Sequence, residues 1–274
     1  MDTEARLRRA EEHIFSTGLP DSGTRLGLAN MRYGLAKIHW VQEQLGLPAN
    51  ATFISAPDLT VTRNTNRWRS GFGYGGNITW GDGNVDLMIL DLKPNGCGMI
   101  VGGLDYLPFS RDLLERVHAL MHEPVEIDGI RIQWDFGKSN HFIDLFRVEA
   151  LADVELPPYV FMMHFAGSEL RGDTPLGPGL YWDRSRTLQA SMQIFETPFG
   201  PLRALTGEAA RASFDFYCYV DSFVQRRRLF AADRLFDRYD LINNENHQGL
   251  IHPNQMVLGC YHFTDTEHIY PIGL

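Results

Sequence analysis

Three residues of this chain have side chains that bind metal ions and lie in local sequence typical of such sites. Cys97 lies between two glycines, His141 follows a glycine turn, and His164 ends an almost wholly apolar run. Thiolate and imidazole ligands suit Zn, Fe or Mn rather than Mg or Ca. Each residue alone also has an ordinary interpretation, either a small buried thiol or a core histidine with a hydrogen-bond partner. The sequence therefore predicts a metal site only if the three residues converge.

The composition predicts a globular protein. The chain has 274 residues, 44% of them hydrophobic, and no stretch that reads as a linker, so we expect a single domain spanning residues 1–274. The charged N-terminus lacks the apolar run of a secretion signal, and no long uncharged apolar stretch occurs. These features predict a cytoplasmic protein without a membrane segment. Three cysteines without short paired spacings indicate neither a disulfide framework nor a zinc finger.

The charge limits how the chain can bind nucleic acid. A formal net charge of −9 opposes non-specific attachment, which depends on counterion release by Lys and Arg, so any RNA contact must be local. The two basic runs are residues 6–9 and 226–228. Both lie in helix-like sequence with acids nearby, which favours solvated helix faces over a track for phosphates.

Hydrophobic periodicity predicts the elements that must position these ligands. We expect N-terminal helices within residues 1–50 (3–17 and 24–45), short strands over 52–104, a helix over 110–123 with Ser110 as N-cap, strands at 130–135, 141–149 and 158–165, and a long helix over 207–237. Helices and strands in separate blocks indicate an α+β fold with mixed or antiparallel sheets and flanking helices. On the predicted strand from residue 141, His141 shares a face with Ile143 and Leu145 and should point inward.

Four segments in order resemble the RtcB family of GTP-dependent RNA ligases. The segments are GFGYGG at 71–76, NGCGM at 95–99, GKSNHF at 137–142 and HFAGSELRG at 164–172. They are similar to the family's G-F-P-I-G-G, acid-x-x-C-G-M, G-x-G-N-H-F and H-S-G-S-R-G motifs. The resemblance extends from about residue 60 to about residue 250, the expected metal-binding core. It implies a divergent, C-terminally shortened member with an RtcB-like fold.

The resemblance implies a set of metal ligands. Cys97, His141 and His164 would bind one or two divalent ions, with Mn the metal that the family favours and Zn or Fe the alternatives. The family's last metal histidine follows the long helix, which makes His247 the candidate here, and an exposed loop histidine is the alternative interpretation.

One implied ligand does not align. The family's acidic ligand precedes the cysteine by three residues, where this chain has Pro94. Asp91 or Asn95 can substitute if a small insertion is assumed, and Asp91 is the residue we predict.

The resemblance also implies catalytic and cofactor-binding positions. Asn140 corresponds to a residue that contacts a phosphate, and Ser168 and Arg171 lie in the last of the matching segments. The family attaches GMP to a histidine in an H-R-K-G segment, and His252 is the candidate here. Its segment, IHPNQ, lacks the basic pair, which argues against covalent nucleotidylation and against a need for GTP.

Three functions follow from these expectations. The first is a metal-dependent enzyme that joins or processes RNA 3′-phosphate and 5′-hydroxyl ends. The second is a repurposed metalloenzyme, a hydrolase, lyase, isomerase or oxidase, which acts on a small or phosphorylated molecule without GTP. The third is a binding protein that kept the fold and lost the chemistry. Resemblance to a family indicates the architecture of a protein better than it indicates the reaction that the protein catalyses.

Overall fold

A computed structural model of the protein describes residues 1–17, 19–151 and 153–263. Its helices are α1 Thr3–Glu12, α2 Ser22–Gln44, α3 Thr65–Arg69, α4 Ser110–His122, α5 Arg186–Ser191 and α6 Gly207–Leu235, with short 3-10 helices at Leu90–Leu92 and Ser168–Leu170. Its strands are β1 Ile14–Ser16, β2 Thr52–Thr60, β3 Tyr74–Thr79, β4 Leu87–Ile89, β5 Cys97–Leu104, β6 Glu126–Ile127, β7 Ile130–Arg131, β8 Phe142–Arg147, β9 Tyr159–Phe165, β10 Gln193–Thr197, β11 Gly200–Thr206, β12 Asp240–His252 and β13 Gln255–Leu258.

The chain forms two compact units. The first comprises Met1–Pro94, Arg171–Cys218 and Gln248–His262, and the second comprises Asn95–Leu170, Tyr219–His247 and, of the described residues, Phe263. Helix α6 and strand β12 each continue from one unit into the other. Both units combine helices with largely antiparallel strands, which confirms the predicted α+β class. The expectation of a single domain stays a prediction.

The first unit is built around two sheets. One has the order β1-β2-β3-β13 and adds the end of β12, with β1 and β2 parallel and the remaining pairs antiparallel. The other has the order β10-β11-β4. Helix α2 buries apolar residues such as Met31, Leu35 and Ile38, and the side chain of Asp21 caps its first turn by accepting from Thr24 N.

The second unit carries a sheet in the order β12-β5-β9-β8. Strand β5 is buried along its whole length and pairs antiparallel with β9, which in turn pairs with β8. Strand β8 lies at the edge of the sheet and is mostly half-buried or exposed. Strand β5 is thus fully buried, whereas β8 at the edge of the sheet is more accessible.

Several predicted boundaries differ from the observed ones. Helix α1 ends at Glu12 rather than at residue 17, because Ile14–Ser16 pairs with β2 as a strand. Helix α4 begins at Ser110, but Phe109 is its N-cap and makes no side-chain capping bond, so the predicted Ser110 cap is wrong. Within the described residues, no helix is both long enough and apolar enough to cross a membrane.

Candidate metal centre

Cys97 is the first residue of β5, directly after a tight turn. Gly96 has a positive φ of 61°, and the Cys97 backbone N donates to Asn95 Oδ1 at 2.9 Å. At Gly98 a Cβ atom would lie 2.2 Å from the Glu245 carbonyl oxygen, so only glycine permits β12 to pass this close. The two glycines of the predicted turn thus place the thiol at the start of a buried strand beside β12.

His164 is held on the neighbouring strand with one ring nitrogen engaged. It lies opposite Met99 of β5 and Phe142 of β8 in the antiparallel register. Its Nδ1 lies 2.9 Å from the backbone oxygen of Asn140, a distance at which Nδ1–H donates to the carbonyl. That hydrogen bond leaves the lone pair of Nε2 directed at the other ligand candidates.

Three of the ligands predicted from the sequence meet in the second unit. Cys97 Sγ lies 2.9 Å from His164 Nε2 and 3.6 Å from His141 Nε2. The candidate ligand atoms of these three residues all lie within 4.8 Å of one another. Donors that bind one ion at 2.0–2.3 Å in a tetrahedron lie roughly 3.5 Å apart. The group could therefore hold a metal ion.

His247 adjoins this group through His164. It lies on β12, is only 5% exposed, and its Nε2 is 3.1 Å from the Nε2 of His164. The Nε2 of His164 thus has both a sulfur and a second imidazole nitrogen at close range, although it has only one lone pair. A cation between these donors would satisfy all of them, which a single hydrogen bond cannot do.

Electrostatics keep the buried imidazoles neutral, the form that binds metals. Burial, followed by the neighbouring His141, lowers the pKa of His164 to about 4. Burial lowers the pKa of His247 well below its usual value, and His164 and the buried Arg228 lower it further. Both rings are therefore uncharged at neutral pH, the form in which an imidazole can bind a metal ion.

His141 is oriented by a carboxylate that the sequence analysis did not single out. Its Nδ1 lies 2.8 Å from Asp135 Oδ2, while its Nε2 faces Cys97. Burial alone would raise the pKa of Asp135, but His141 and Arg227 together hold it below its usual value. A carboxylate behind a ligating imidazole fixes the ring's tautomer and orientation.

The basic run at 226–228 is not the solvated face that we predicted. Arg226 is exposed and pairs with Asp128, but Arg227 and Arg228 are fully buried. Arg227 contacts Asp135 at 3.2 Å and Glu169 at 3.0 Å. A buried guanidinium needs such partners, and nearby carboxylates and carbonyl oxygens on other elements provide them.

Arg228 donates hydrogen bonds to the strand that carries His247. Its Nε donates to Asn244 Oδ1 and its Nη2 to Asn246 Oδ1, both at 2.7 Å, and its Nη1 lies 3.4 Å from the Gly96 oxygen. Helix α6 is thereby tied to both sides of the centre, to the residue before Cys97 and to the residue before His247.

Two other predicted residues lie next to the centre. Asn140 is exposed, and it is its backbone oxygen that contacts His164. Ser168 is half-buried, with its hydroxyl 3.4 Å from Asp135 Oδ2. Their roles in binding a phosphate or a cofactor stay predictions.

The remaining predicted residues belong to the first unit. Asp91 is fully buried and accepts from the backbone N and the guanidinium of Arg203, at 3.0 and 3.2 Å. The guanidinium of Arg171 lies 5.4 Å from the ring centroid of Tyr181. His252 accepts from Asn254 N through Nδ1, and burial lowers its pKa. Asp91 is not one of the three residues whose ligand atoms converge.

Asp135 and Arg227 were hard to identify as functional residues from the sequence. Asp135 lies six residues before His141 in an aromatic stretch, WDFGKSNHF, where an acid usually indicates a loop surface. An arginine among apolar residues, as in FVQRRRLF, is the one available signal for a buried cation. Neither signal reveals which groups it meets in space.

Comparison with known proteins identifies no family for this chain. No protein-family model, no curated protein and no solved structure matches the chain. The likeness to the RtcB family therefore depends on the four sequence segments alone, and the metal centre on the convergence of its side chains.

Proposed function

We propose that the protein is a metalloenzyme whose reaction takes place at a divalent ion bound by Cys97, His141, His164 and His247. The convergence of a thiol and imidazole nitrogens from separate segments of the second unit carries the proposal. Each of these side chains has an ordinary role when it is alone. Together they form a donor set that suits a divalent cation.

The residues of the chain have distinct roles around the ion. Cys97 binds as the thiolate, because an adjacent cation removes its proton. His141 and His164 bind through Nε2, since Asp135 and the Asn140 carbonyl take the opposite ring nitrogens. When bound, the ion supplies a Lewis acid that can hold a phosphate or polarise an oxygen. The soft ligands suit Mn, Zn or Fe, and the resemblance favours Mn.

The reaction we propose first is the joining or processing of RNA ends, with a 3′-phosphate at the metal centre. The ordered segments that resemble the RtcB family support this reaction. The exposure of Asn140 beside the ligand His164 supports it as well, because its side chain is available to a phosphate. Substrate RNA would bind locally, since the net charge of −9 opposes broad attachment.

The test combines metal analysis with an RNA assay. Protein purified without chelator is analysed for metals, then incubated with Mn²⁺, GTP and two RNA strands ending in a 3′-phosphate and a 5′-hydroxyl. We expect bound metal and a joined or altered product, with both lost in Cys97→Ala. The exposed Cys218 provides the matched control, and Cys218→Ala should keep both. A wild-type protein that holds metal but leaves RNA unchanged would reject the RNA reaction.

A second candidate is a metalloenzyme that acts on a small or phosphorylated molecule without GTP. The acidic net charge and the segment around His252, which lacks the basic pair of H-R-K-G, favour this candidate. It predicts that no GMP becomes attached to the protein after incubation with GTP and Mn²⁺, while metal stays bound. Protein without metal in any preparation would reject both candidates and leave the non-catalytic binding protein.

A further inference from the structure

We infer that helix α4 carries a second, exposed metal-binding site formed by His118 and His122, with Glu115 as an additional ligand. These three residues occupy positions i, i+3 and i+7, so they follow one stripe of the helix. Histidines four residues apart on one helical face are a known arrangement for a shared divalent ion. The inference does not depend on the proposed function.

The two rings already lie together. Their centroids are 4.3 Å apart, and both residues are exposed. His122 Nδ1 lies 2.7 Å from the His118 backbone oxygen, so Nδ1–H donates and Nε2 keeps its lone pair for a ligand bond. The pair therefore offers imidazole donors at an accessible surface without rearrangement of the backbone.

Glu115 adds an anionic donor next to His118. Both residues line an open depression on the helix together with Arg111, Leu114 and Ala119. The carboxylate pairs with Arg111 at 3.1 Å, but the two side chains are 67% and 87% exposed, so the pair is worth little. The ligand atoms of Glu115 do not already converge with those of the two histidines, so the exposed carboxylate has to turn away from Arg111 to reach a cation that the imidazoles hold.

The position in the helix also favours a cation. His122 is the last residue of α4, where the unpaired carbonyl groups of the final turn carry the negative end of the helix dipole. Imidazole and carboxylate ligands at an exposed site fit Zn²⁺, Ni²⁺ or Cu²⁺. The site differs from the buried centre because it lacks a thiolate and an enclosing shell, so it should exchange its ion freely.

The experiment uses the full chain and Zn²⁺ as the probe. Calorimetric titration of chelator-treated protein should reveal Zn²⁺ binding at an exposed site in the wild type. We expect the affinity of this site to be about 100-fold lower in His122→Gln, because the remaining histidine no longer has a second donor at high effective concentration. Hydrogen exchange supplies a second readout. Zn²⁺ should slow amide exchange in Ser110–His122 of the wild type and not in His122→Gln.

His13→Gln is the matched control. His13 also contacts the carbonyl four residues earlier through Nδ1, at 2.9 Å, but its ring neighbour is the buried His39 rather than an exposed histidine. We expect its titration to equal that of the wild type. Equal Zn²⁺ binding by wild type and His122→Gln, with no change in α4 exchange, would overturn the inference. Weaker binding in His122→Gln but not in Glu115→Gln would restrict the site to the two histidines.

Discussion

The thiol and imidazoles around Cys97 in the second unit face one another as metal-binding donors, whereas the buried Lys93 and Asp91 of the first unit are each matched with an opposite charge. In the first unit Lys93 Nζ pairs with Asp183 at 2.6 Å, and Arg203 pairs with Asp91. Around Cys97, sulfur and imidazole nitrogens point at each other instead. A buried charge pair satisfies both of its members, which indicates a structural role. A thiol and imidazole nitrogens that converge in this way form a donor set that suits a cation, which is why the proposed reaction is assigned to the second unit.

The largest effect on this comparison should come from removing a metal ligand. Cys97→Ala and His141→Ala should each abolish most metal binding, because the remaining donors no longer surround the ion. Elemental analysis of protein purified without chelator measures the effect. Unchanged metal content in either variant would exclude that residue as a ligand.

A smaller effect should follow from Asp135→Asn, which keeps the size of the side chain behind His141 but removes its charge. The ring then faces a neutral amide in place of the carboxylate that fixes its tautomer, and we expect metal affinity to fall about 10- to 100-fold. Competition with a metal-binding dye measures the affinity. Circular dichroism should show a folded protein, and affinity equal to that of the wild type would contradict the role we assign to Asp135.

Lys93→Met should separate the two regions. Removing this buried cation leaves Asp183 with Asn66 but without its charged partner, and we expect a loss of about 3 kcal/mol in the free energy of unfolding. Urea denaturation measures the loss. Metal content at the centre should not change, and a variant that lost its metal while it remained folded would show that the two regions are not distinct in function.

His39→Gln should change acid sensitivity rather than metal binding. The Nε2 of this buried histidine lies 2.8 Å from the Ala51 oxygen, and burial lowers its pKa to about 4. Since the folded pKa lies below the unfolded value, this residue's contribution to stability is complete above about pH 6.5 and decreases as the pH falls towards 4. The wild type should lose up to about 2 kcal/mol from this residue at pH 5. Denaturation at pH 7 and pH 5 should show a smaller difference in the variant.

Residues with strong local signals were predictable from the sequence. The runs at 97–104 and 159–165 are apolar and fully or partly buried as strands, and glycine turns place Cys97 and His141 beside them. Helix α2 stops before Gly46, whose φ of 69° suits glycine. The convergence of Cys97, His141 and His164 followed from motif order rather than from any distance that the sequence contains.

Features that depend on distant partners were not predictable. Strand β12 reads DLINNENHQGLIH, a polar sequence without clear alternation, and it is a strand because β5 and β13 each pair with part of it. The burial of Arg227 depends on Asp135 and Glu169, which lie far away along the chain. The local sequence pattern does not indicate such pairings, so it was equally consistent with His247 in an exposed loop.

We expect the edge position of β8 to determine how fast an ion would leave the proposed metal centre. His141 directly precedes this strand and is half-buried, whereas Cys97, His164 and His247 are buried. The turn before it contains Gly137 and Ser139, both with positive φ. Opening of this short segment would detach His141 and would also remove the Asn140 oxygen that orients His164. If the proposed centre holds an ion, we expect this one surface turn to govern its residence time, so that a substitution there alters exchange kinetics more than it alters which metal is preferred.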